Sequence, residues 1–431
     1  MIHSISVAAK GASLVTFGIE RGILPLRHYN RGVLGPLRGM EPKVKELPSS
    51  GSFSVRWHHR VLTCRDAFTD SGAELAQLFG DSSSPARVLC VLDGGLTKAA
   101  PALPDRIAAW AQTQSDRIDL AGTPLTVPGG EQAKNDRTVF DQVVRAIHDR
   151  RICRQSFVLA VGGGAMLDAV GLAAATSHRG VRLVRLPSTT LGQADAGVGV
   201  KNGINAFGAK NLIGTFAPPW AVVNDATLLP TLTDRDWRAG LSEAIKVALL
   251  KDESLLIDLE HAAVALQNRD LDVMERIATR TADLHVAHIV HGGDPFEISR
   301  ARPLDFGHWS AHQLEQMTGF RLSHGDAVGI GLMIDLHYAA LALGGSQSLV
   351  RRVASCLQSL GFPLCCDAMS DHDRLLDGLE RFREHLGGVM AITMVTEPEH
   401  SQEVSSIDRD VMRQAIELTV RRGGEQMSRT G

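Results

Sequence analysis

Short apolar runs alternate with amphipathic segments through the first half of the chain. The apolar runs predict buried strands at residues 87–92, 125–127, 157–161 and 181–186, and an edge strand or hairpin arm within 54–64. Apolar positions at helical spacing predict helices at residues 67–79, 103–112, 136–148 and 165–177. Strands and helices that alternate at these lengths predict a parallel sheet covered by helices on both faces.

The second half of the chain carries the helical period almost throughout. Helices are predicted at residues 236–250, 254–267, 271–290, 309–318, 327–343, 346–360, 371–385 and 408–421, with one late strand within 389–395. This change predicts an α/β domain over residues 54–232 and a mainly α-helical domain over residues 233–431.

Residues 1–53 are predicted to form an N-terminal extension outside both domains. The first forty residues carry five basic side chains and a single acid, Glu20. Targeting peptides have this balance. A loosely ordered extension, or a true start at Met40, is favoured over a targeting peptide because the segment has no clean amphipathic helix.

Composition narrows the class of protein. Hydrophobic residues make up 44% of the chain and charged residues 22%, as in ordinary soluble globular proteins. The net charge of −3 argues against a nucleic-acid partner. The longest apolar run, residues 328–343, contains Asp335 and His337, so no membrane span is predicted. The six cysteines have no paired C-x-x-C spacing, which favours free thiols and a cytoplasmic location.

Three consecutive glycines, residues 162–164, follow the third apolar run and precede a helix. A strand that ends in glycines before a helix brings backbone N–H groups against a phosphate, although a tight turn gives the same pattern. Asp93 and Glu131 follow two other strands, so their carboxylates are expected at the same edge, where ribose hydroxyls can bind. Lys134 can offset phosphate charge. The spacing differs from G-x-G-x-x-G, so a standard dinucleotide fingerprint is not predicted.

A glycine-rich polar segment, residues 192–211, is predicted to be a loop that carries chemistry. It contains Asp195, Lys201, Asn205, Lys210 and Asn211. Together with Lys246 and Arg179, its lysines suit a phosphorylated substrate, and the alternative is ordinary surface charge.

One carboxylate and two imidazoles, Glu243, His308 and His324, match a catalytic metal set with open positions. Chance proximity is the alternative, because the chain has 17 histidines. His312 lies four residues after His308 on the same helical face. A rival group, residues 283–288, contains one aspartate and two histidines and is interpreted as a solvated helix face.

These motifs together resemble the dehydroquinate synthase family of sugar phosphate cyclases. The resemblance spans roughly residues 85–345 and rests on residues 128–134, 162–168, 173–180, 187–191, 195–205, 210–211, 241–246, 306–312 and 324–325. It implies the dehydroquinate synthase-like fold, with an NAD-binding α/β domain and a helical domain that binds metal and substrate. It also implies a homodimer, bound NAD and one divalent metal, zinc or cobalt.

The resemblance assigns roles position by position. The metal ligands would be Glu243, His308 and His324. Substrate contacts would come from Asp195, Lys201, Asn211, Lys246 and His312, while Arg179 would reach a phosphate across the dimer interface. Lys210 would lie at the junction of cofactor and substrate. The NAD contacts would be Asp93, Glu131, Lys134, Gly163, Gly164, Asp168, Thr189 and Thr190.

The implied reaction is that of a carbon–oxygen lyase. NAD⁺ takes a hydride from a ring alcohol, phosphate leaves by elimination, and the hydride returns before an intramolecular aldol step closes a carbocycle. Two other functions remain open. A metal-dependent alcohol or glycerol dehydrogenase would produce NADH without releasing phosphate, and a non-catalytic NAD-binding dimeric scaffold would do neither.

Several positions depart from the family pattern. Asp305 stands where dehydroquinate synthases carry Asn, Ala301 replaces an arginine, Ala287 replaces a lysine, and residues 383–385 replace a lysine pair. An anion at Asp305 would repel a substrate carboxylate. The sequence therefore predicts a neutral-headed substrate, that is, a sugar phosphate without a carboxylate, such as sedoheptulose 7-phosphate. The acid-headed alternative is 3-deoxy-arabino-heptulosonate 7-phosphate.

Overall fold

The computed structural model describes residues 51–69, 73–80, 84–298 and 302–430. Most of the predicted N-terminal extension, and Ala301 among the family departures, lie outside these ranges. The described residues from 59 onward form one compact unit, and residues 51–58 have no regular secondary structure. The predicted domain boundary near residue 232 stays a prediction.

A parallel sheet occupies the first half of the described chain, as predicted. Its strands are β1 (Val61–Cys64), β2 (Ala86–Asp93), β3 (Ile118–Leu120), β4 (Leu125–Val127), β5 (Phe157–Gly162), β6 (Arg182–Pro187) and β9 (Ala221–Asp225), while β7 (Lys201–Ala206) and β8 (Ala209–Phe216) form a separate antiparallel hairpin. The order is β1-β9-β6-β5-β2-β3, with β4 beside the second half of β2. Every pair in this sheet is parallel, which brings the carboxyl ends of the strands to one edge.

Helices cover both faces of this sheet. They are α1 (Ala73–Gln77), α2 (Gly94–Ala99), α3 (Leu103–Thr113), α4 (Gln132–Asn135), α5 (Thr138–Asp149) and α6 (Gly164–Thr176). Leu159 in β5 packs in the core that contains Trp110, whereas its neighbour Val158 packs in the opposite core with Val143 and Leu167. Successive strand residues point to opposite faces, so a continuous apolar run can fill both cores.

The predicted helix over residues 67–79 is wrong in extent, because the described residues 67–69 and 78–79 lie outside α1 and are not helical. The buried Asp225 carboxylate accepts hydrogen bonds from the backbone N–H groups of Asp66 and Ala67, and Asp66 takes a left-handed φ of 56°. These bonds hold the start of the segment out of helical geometry. The predicted edge strand is likewise reduced to β1.

The second half of the described chain is mainly helical, as predicted. Its elements are α7 (Asp234–Lys251), α8 (Glu253–Gln267), α9 (Leu271–His291), α10 (His308–Met317), α11 (His324–Ala342), α12 (Gln347–Ser359), α13 (His372–His385), the antiparallel pair β10 (Ile392–Glu397) and β11 (His400–Val404), and α14 (Arg409–Thr430). Helix α11 is buried along most of its length and packs against α7, α10, α12 and α14. Among the described residues, no helix has the length and apolar character needed to cross a membrane. The six cysteines, all within the described ranges, are free.

Candidate active site

Three helices bring the predicted metal ligands together. Glu243 lies within α7, His308 is the first residue of α10, and His324 is the first residue of α11. One ligand atom from each lies within 4.8 Å of the others. Glu243 is fully buried, and its Oε1 is 3.4 Å from Nε2 of both histidines. Its Oε1 has no hydrogen-bond partner among the described residues, so this buried oxygen has the free coordinating capacity that a cation would use.

The other ring nitrogen of each histidine has its own acceptor. Nδ1 of His308 is 3.0 Å from the carbonyl oxygen of Phe306, and Nδ1 of His324 is 3.3 Å from Oε2 of Glu315. A proton on Nδ1 leaves the Nε2 lone pair free to face Glu243, which is the arrangement that metal-binding histidines use. The donor set therefore fits a divalent metal of the zinc or cobalt type.

The start of α10 is held against α11 by a close backbone contact. Gly307 has φ 78°, and a Cβ at Gly331 would lie 2.0 Å from the Gly307 carbonyl oxygen. The buried Asp335 carboxylate accepts hydrogen bonds from the Gly307 N–H at 2.9 Å and from the Trp309 indole at 2.7 Å. Burial raises the pKa of Asp335 to about 7 against these two hydrogen bonds. The glycines and Asp335 thereby fix the position of His308.

Buried charges of both signs surround Glu243. The Lys246 ammonium, one turn further along α7, is in ion-pair contact with it. Burial opposes the charged form of Lys246, but Glu243 and Asp195 outweigh burial and raise its pKa. Burial and Glu243 oppose ionisation of Asp195, yet Lys246 and His285 keep its pKa below the ordinary value. Nδ1 of His285 is 2.9 Å from Oδ1 of Asp195. Lys246 and Asp195 are thus both charged near neutral pH.

The segment predicted to be a loop is instead structured. Residues Gly192–Ala196 form a π-helical turn, and residues 201–216 form the β7–β8 hairpin. The prediction of an irregular loop is therefore wrong. Lys201 begins the hairpin, and Lys210 and Asn211 lie near the start of its second strand.

The hairpin presents its cations to acidic side chains. The Lys201 ammonium is 2.5 Å from Oε1 of Glu297, and the Lys210 ammonium is 2.8 Å from Oε1 of Glu315. Desolvation opposes protonation of Lys201, but Asp305 and Glu297 together raise its pKa. Asp305, at the end of the 3-10 turn Pro303–Asp305, is also among the groups that raise the pKa of Lys246.

Asn205 connects the hairpin to the predicted cofactor side. Its amide donates to Oε1 of Glu131 and to the Asn135 side chain, both at 2.8 Å, and its oxygen accepts the N–H of Asn211 at 2.9 Å. Asn211 has a left-handed φ of 53°. Asn205 therefore fixes the backbone of a predicted substrate residue relative to a predicted NAD residue.

The glycine-rich segment before the hairpin is held by side chains rather than by a sheet. The fully buried Arg185 guanidinium donates to the carbonyls of Gly197, Gly199 and Lys201 at 3.0–3.1 Å and to the side-chain oxygen of Asn202 at 2.6 Å. His59 lies 2.8 Å from the carbonyl of Val198. Arg185 thus positions the chain between Asp195 and Lys201.

Most predicted NAD residues lie at the carboxyl edge of the sheet. Gly163 is the N-cap of α6, and Gly164 is its first residue. The Asp93 carboxylate caps α2 through the N–H groups of Gly95 and Leu96 and also accepts the Gly163 N–H at 3.3 Å. The N-terminus of α6 supplies the N–H groups that an anion would need.

The remaining members of this set make internal contacts. The Thr189 hydroxyl accepts the N–H of Gly192. The Thr190 hydroxyl donates to the Asp236 carbonyl and accepts the Gly240 N–H, which connects the segment after β6 to α7. The Lys134 ammonium is paired with Asp168 at 2.6 Å.

Two predicted substrate residues stand in contrasting environments. Arg179 is exposed, has a left-handed φ of 63° and forms no ion pair within the described ranges. His312 is close to the metal set, with its ring stacked 6.0 Å from that of His324. Burial, together with His308 and Lys210, holds the pKa of His312 well below the ordinary value, so its ring is neutral.

Comparisons with known proteins agree with this geometry. The models of the 3-dehydroquinate synthase N-terminal and C-terminal domains match residues 124–239 and 240–383. A 3-dehydroquinate synthase from Dictyoglomus thermophilum is 36% identical over 56% of this chain and 67% of its own length. A 2-epi-5-epi-valiolone synthase from Streptomyces glaucescens is 30% identical over 69% of this chain and 77% of its own.

The chain belongs to the 3-dehydroquinate synthase family. A solved 2-epi-5-epi-valiolone synthase from Streptomyces hygroscopicus subsp. jinggangensis 5008, with NAD⁺ and Zn²⁺ bound, is 26% identical, with a TM-score of 0.77 over 86% of this chain and 99% of its own. A solved protein from Sinorhizobium meliloti 1021, described as a probable glycerol dehydrogenase, shares the fold at 16% identity, with a TM-score of 0.57 over 86% of this chain and 98% of its own. The predictions of the family and of the fold class are confirmed.

Sequence reasoning missed four side chains that the dehydroquinate synthase fold brings to this site. They are Arg185, His285, Glu297 and Glu315. The interpretation of residues 283–288 as a solvated face is wrong for His285, which meets Asp195, and for the half-buried His288. For Glu315 a signal existed, because residues seven apart share a helix face and it lies seven residues after His308.

Proposed function

We propose that this protein is an NAD- and divalent-metal-dependent sugar phosphate cyclase that converts a neutral-headed heptulose phosphate to a carbocycle with loss of phosphate. The observation that carries the proposal is the buried set of Glu243, His308 and His324 beside Lys246, with Lys201 and Lys210 on the adjoining hairpin. The chain's membership in the 3-dehydroquinate synthase family supports the reaction class.

The proposed cofactors supply chemistry that side chains lack. When bound, NAD would accept and return a hydride, and a metal at the Glu243 set would polarise the oxygens of the ring alcohol. The solved relative that contains NAD⁺ and Zn²⁺ supports this pairing. Gly163 and Gly164 would present the N-terminus of α6 to the pyrophosphate, and Glu131 would face a ribose.

The chain's own cations would bind the phosphate ester and stabilise the departing phosphate. Lys246 is buried and kept protonated by its acidic neighbours, and Lys201 is kept protonated by Asp305 and Glu297. The buried Lys246 would contribute most, because a preorganised charge stabilises developing negative charge best where water is excluded. No dedicated protein base is required if the substrate phosphate accepts the proton. Arg179 is exposed, as a residue that serves a partner's site in a homodimer would be.

Asp305 supports the choice of substrate. Its charge acts on both Lys201 and Lys246, which places an anion beside the proposed substrate contacts. A carboxylate on the substrate would meet this charge, whereas the hydroxymethyl end of sedoheptulose 7-phosphate would not. The relatives include both 2-epi-5-epi-valiolone synthases and 3-dehydroquinate synthases, so the choice of substrate rests on Asp305.

A substrate comparison tests the proposal. Metal-loaded protein with NAD⁺ is given sedoheptulose 7-phosphate or 3-deoxy-arabino-heptulosonate 7-phosphate, and inorganic phosphate is measured. We expect release from the first at a kcat/KM at least tenfold higher than from the second. Faster turnover of the second would contradict the assignment of substrate, and net NADH without phosphate would indicate an alcohol dehydrogenase instead.

A further inference from the structure

Glu315 contacts both the proposed metal set and the hairpin. It lies on α10 and is only 4% exposed. Its Oε1 accepts the Lys210 ammonium at 2.8 Å, and its Oε2 is 3.3 Å from Nδ1 of His324. One buried carboxylate thus joins a predicted metal ligand to the lysine at the predicted cofactor–substrate junction.

We propose that Glu315 is a positioning residue that sets the affinity and geometry of the metal site through His324 and fixes Lys210 relative to that site. The proposal rests on the proposed function for the presence of a metal. It does not depend on which sugar phosphate is the substrate.

Glu315 determines which ring nitrogen of His324 carries the proton. This ring can offer the Nε2 lone pair to a metal beside Glu243 only with its proton on Nδ1, and Glu315 supplies the acceptor for that proton. The acceptor fixes the tautomer and limits rotation of the ring, which is how outer carboxylates tune metal sites. His308 depends instead on the backbone carbonyl of Phe306. Of these two acceptors, Glu315 alone can be removed by a side-chain substitution.

Glu315 also fixes Lys210 through a buried ion pair. Lys210 belongs to β8 and Glu315 to α10, so their ion pair connects the hairpin to the helical part of the chain. The Lys210 ammonium also lies 5.8 Å from the ring centre of Phe320.

A second metal site at Glu315 is the competing interpretation. His312, Glu315 and His324 also have ligand atoms within 4.8 Å of one another. However, the Lys210 ammonium already occupies Oε1 of Glu315, and a further cation would have to displace it. If both sites were filled, Nδ1 and Nε2 of His324 would each have to bind a metal, which requires the ring to be an imidazolate. The positioning role needs neither change.

The test measures Co²⁺ binding to the metal-free protein by its visible absorption, with Glu315→Gln compared with the parent. Gln keeps the volume of Glu, but its carbonyl and NH₂ groups cannot both serve the two donors Lys210 and His324. We expect the Co²⁺ dissociation constant to rise 10- to 100-fold, with an altered absorption spectrum. Glu260→Gln, which removes a glutamate paired with Arg352 elsewhere in the helical part, is the control and should leave both readouts unchanged.

Thermal unfolding of the metal-free variants separates positioning from general destabilisation. Equal melting temperatures for the metal-free parent and variant, with weakened Co²⁺ binding, support the proposal. If Glu315→Gln does not fold, Glu315→Asp replaces it, since the shorter side chain cannot span both partners and should weaken Co²⁺ binding likewise.

A Lys210→Met variant distinguishes the two contacts of Glu315. It leaves the His324 contact intact, so its Co²⁺ affinity should stay within about threefold of the parent while its turnover falls. Parent-like Co²⁺ affinity and spectrum in Glu315→Gln would overturn the inference but leave the proposed function standing. A parent protein that binds no Co²⁺ would overturn the proposed function itself.

Discussion

At the scale of single residues, the site is governed by charges that are buried together. Lys246 holds Glu243 and Asp195 in their charged forms, and these two carboxylates keep Lys246 protonated, because a buried ion is stable only with partners. The identities of these residues were predictable from the sequence. The contact of His285 with Asp195 was not, because nothing in the local pattern shows which side chains another helix will bring together.

Lys201→Ala should abolish phosphate release and leave NAD affinity nearly unchanged. The side chain begins the hairpin and pairs with Glu297, away from the contacts made by Gly163 and Asp93. Phosphate assays and NAD titration by protein fluorescence measure the two effects. Lys251→Ala, at an exposed lysine that ends α7, is the matched control and should behave as the parent. Turnover comparable with that of the parent in Lys201→Ala would refute the role given to the hairpin.

Asp305→Asn should shift selectivity toward the acid-headed substrate. Removing the charge relieves repulsion of a substrate carboxylate, and a gain of about 1.4 kcal/mol corresponds to a tenfold change in the ratio of kcat/KM values. Both heptulose phosphates are assayed side by side with the parent and the variant. An unchanged ratio would mean that Asp305 does not choose the substrate.

At the scale of secondary-structure elements, the strands were predictable and the hairpin was not. Strands β2, β5 and β6 are apolar runs whose two faces are both buried. In contrast, residues 211–216 of β8 are exposed. This strand is held by its pairing with β7 and by the contact of Asn205 with Asn211, while Arg185 holds the start of β7. A sequence pattern based on burial cannot reveal such an element.

Arg185→Met tests the contribution of this element. The substitution leaves carbonyls of the glycine-rich segment without donors, at a cost of about 1–3 kcal/mol for each buried group. We expect a lower melting temperature and at least a tenfold fall in kcat, with partial recovery in Arg185→Lys. Arg352→Met, which breaks a partly exposed pair with Glu253 and Glu260, should cost about 1 kcal/mol or less. Equal losses in the two Met variants would argue against a positioning role for Arg185.

At the scale of the whole molecule, the order of helices determines the metal set. Helices α7, α10 and α11 each contribute one ligand, and two of the three residues begin their helices. The alternation of strands and helices was enough to predict both halves of the fold. The convergence of Glu243, His308 and His324 depended on the family resemblance, because tertiary proximity across 81 positions leaves no periodic signal.

Removal of metal should abolish turnover reversibly. Chelation should eliminate phosphate release by the parent, and added Zn²⁺ or Co²⁺ should restore it. In Glu243→Gln, added metal should not restore phosphate release, because the buried carboxylate ligand is lost. Activity that survives complete removal of metal, checked by elemental analysis, would rule out the proposed role of the Glu243 set.

The central claim is that a hydride is borrowed and returned within each turnover while phosphate is lost. The most direct measurement follows inorganic phosphate and absorbance at 340 nm together, with metal-loaded protein, sedoheptulose 7-phosphate and catalytic NAD⁺. The account predicts many phosphates released per NAD⁺ with no net accumulation of NADH. NADH that accumulates in step with substrate consumption, without phosphate, would contradict it.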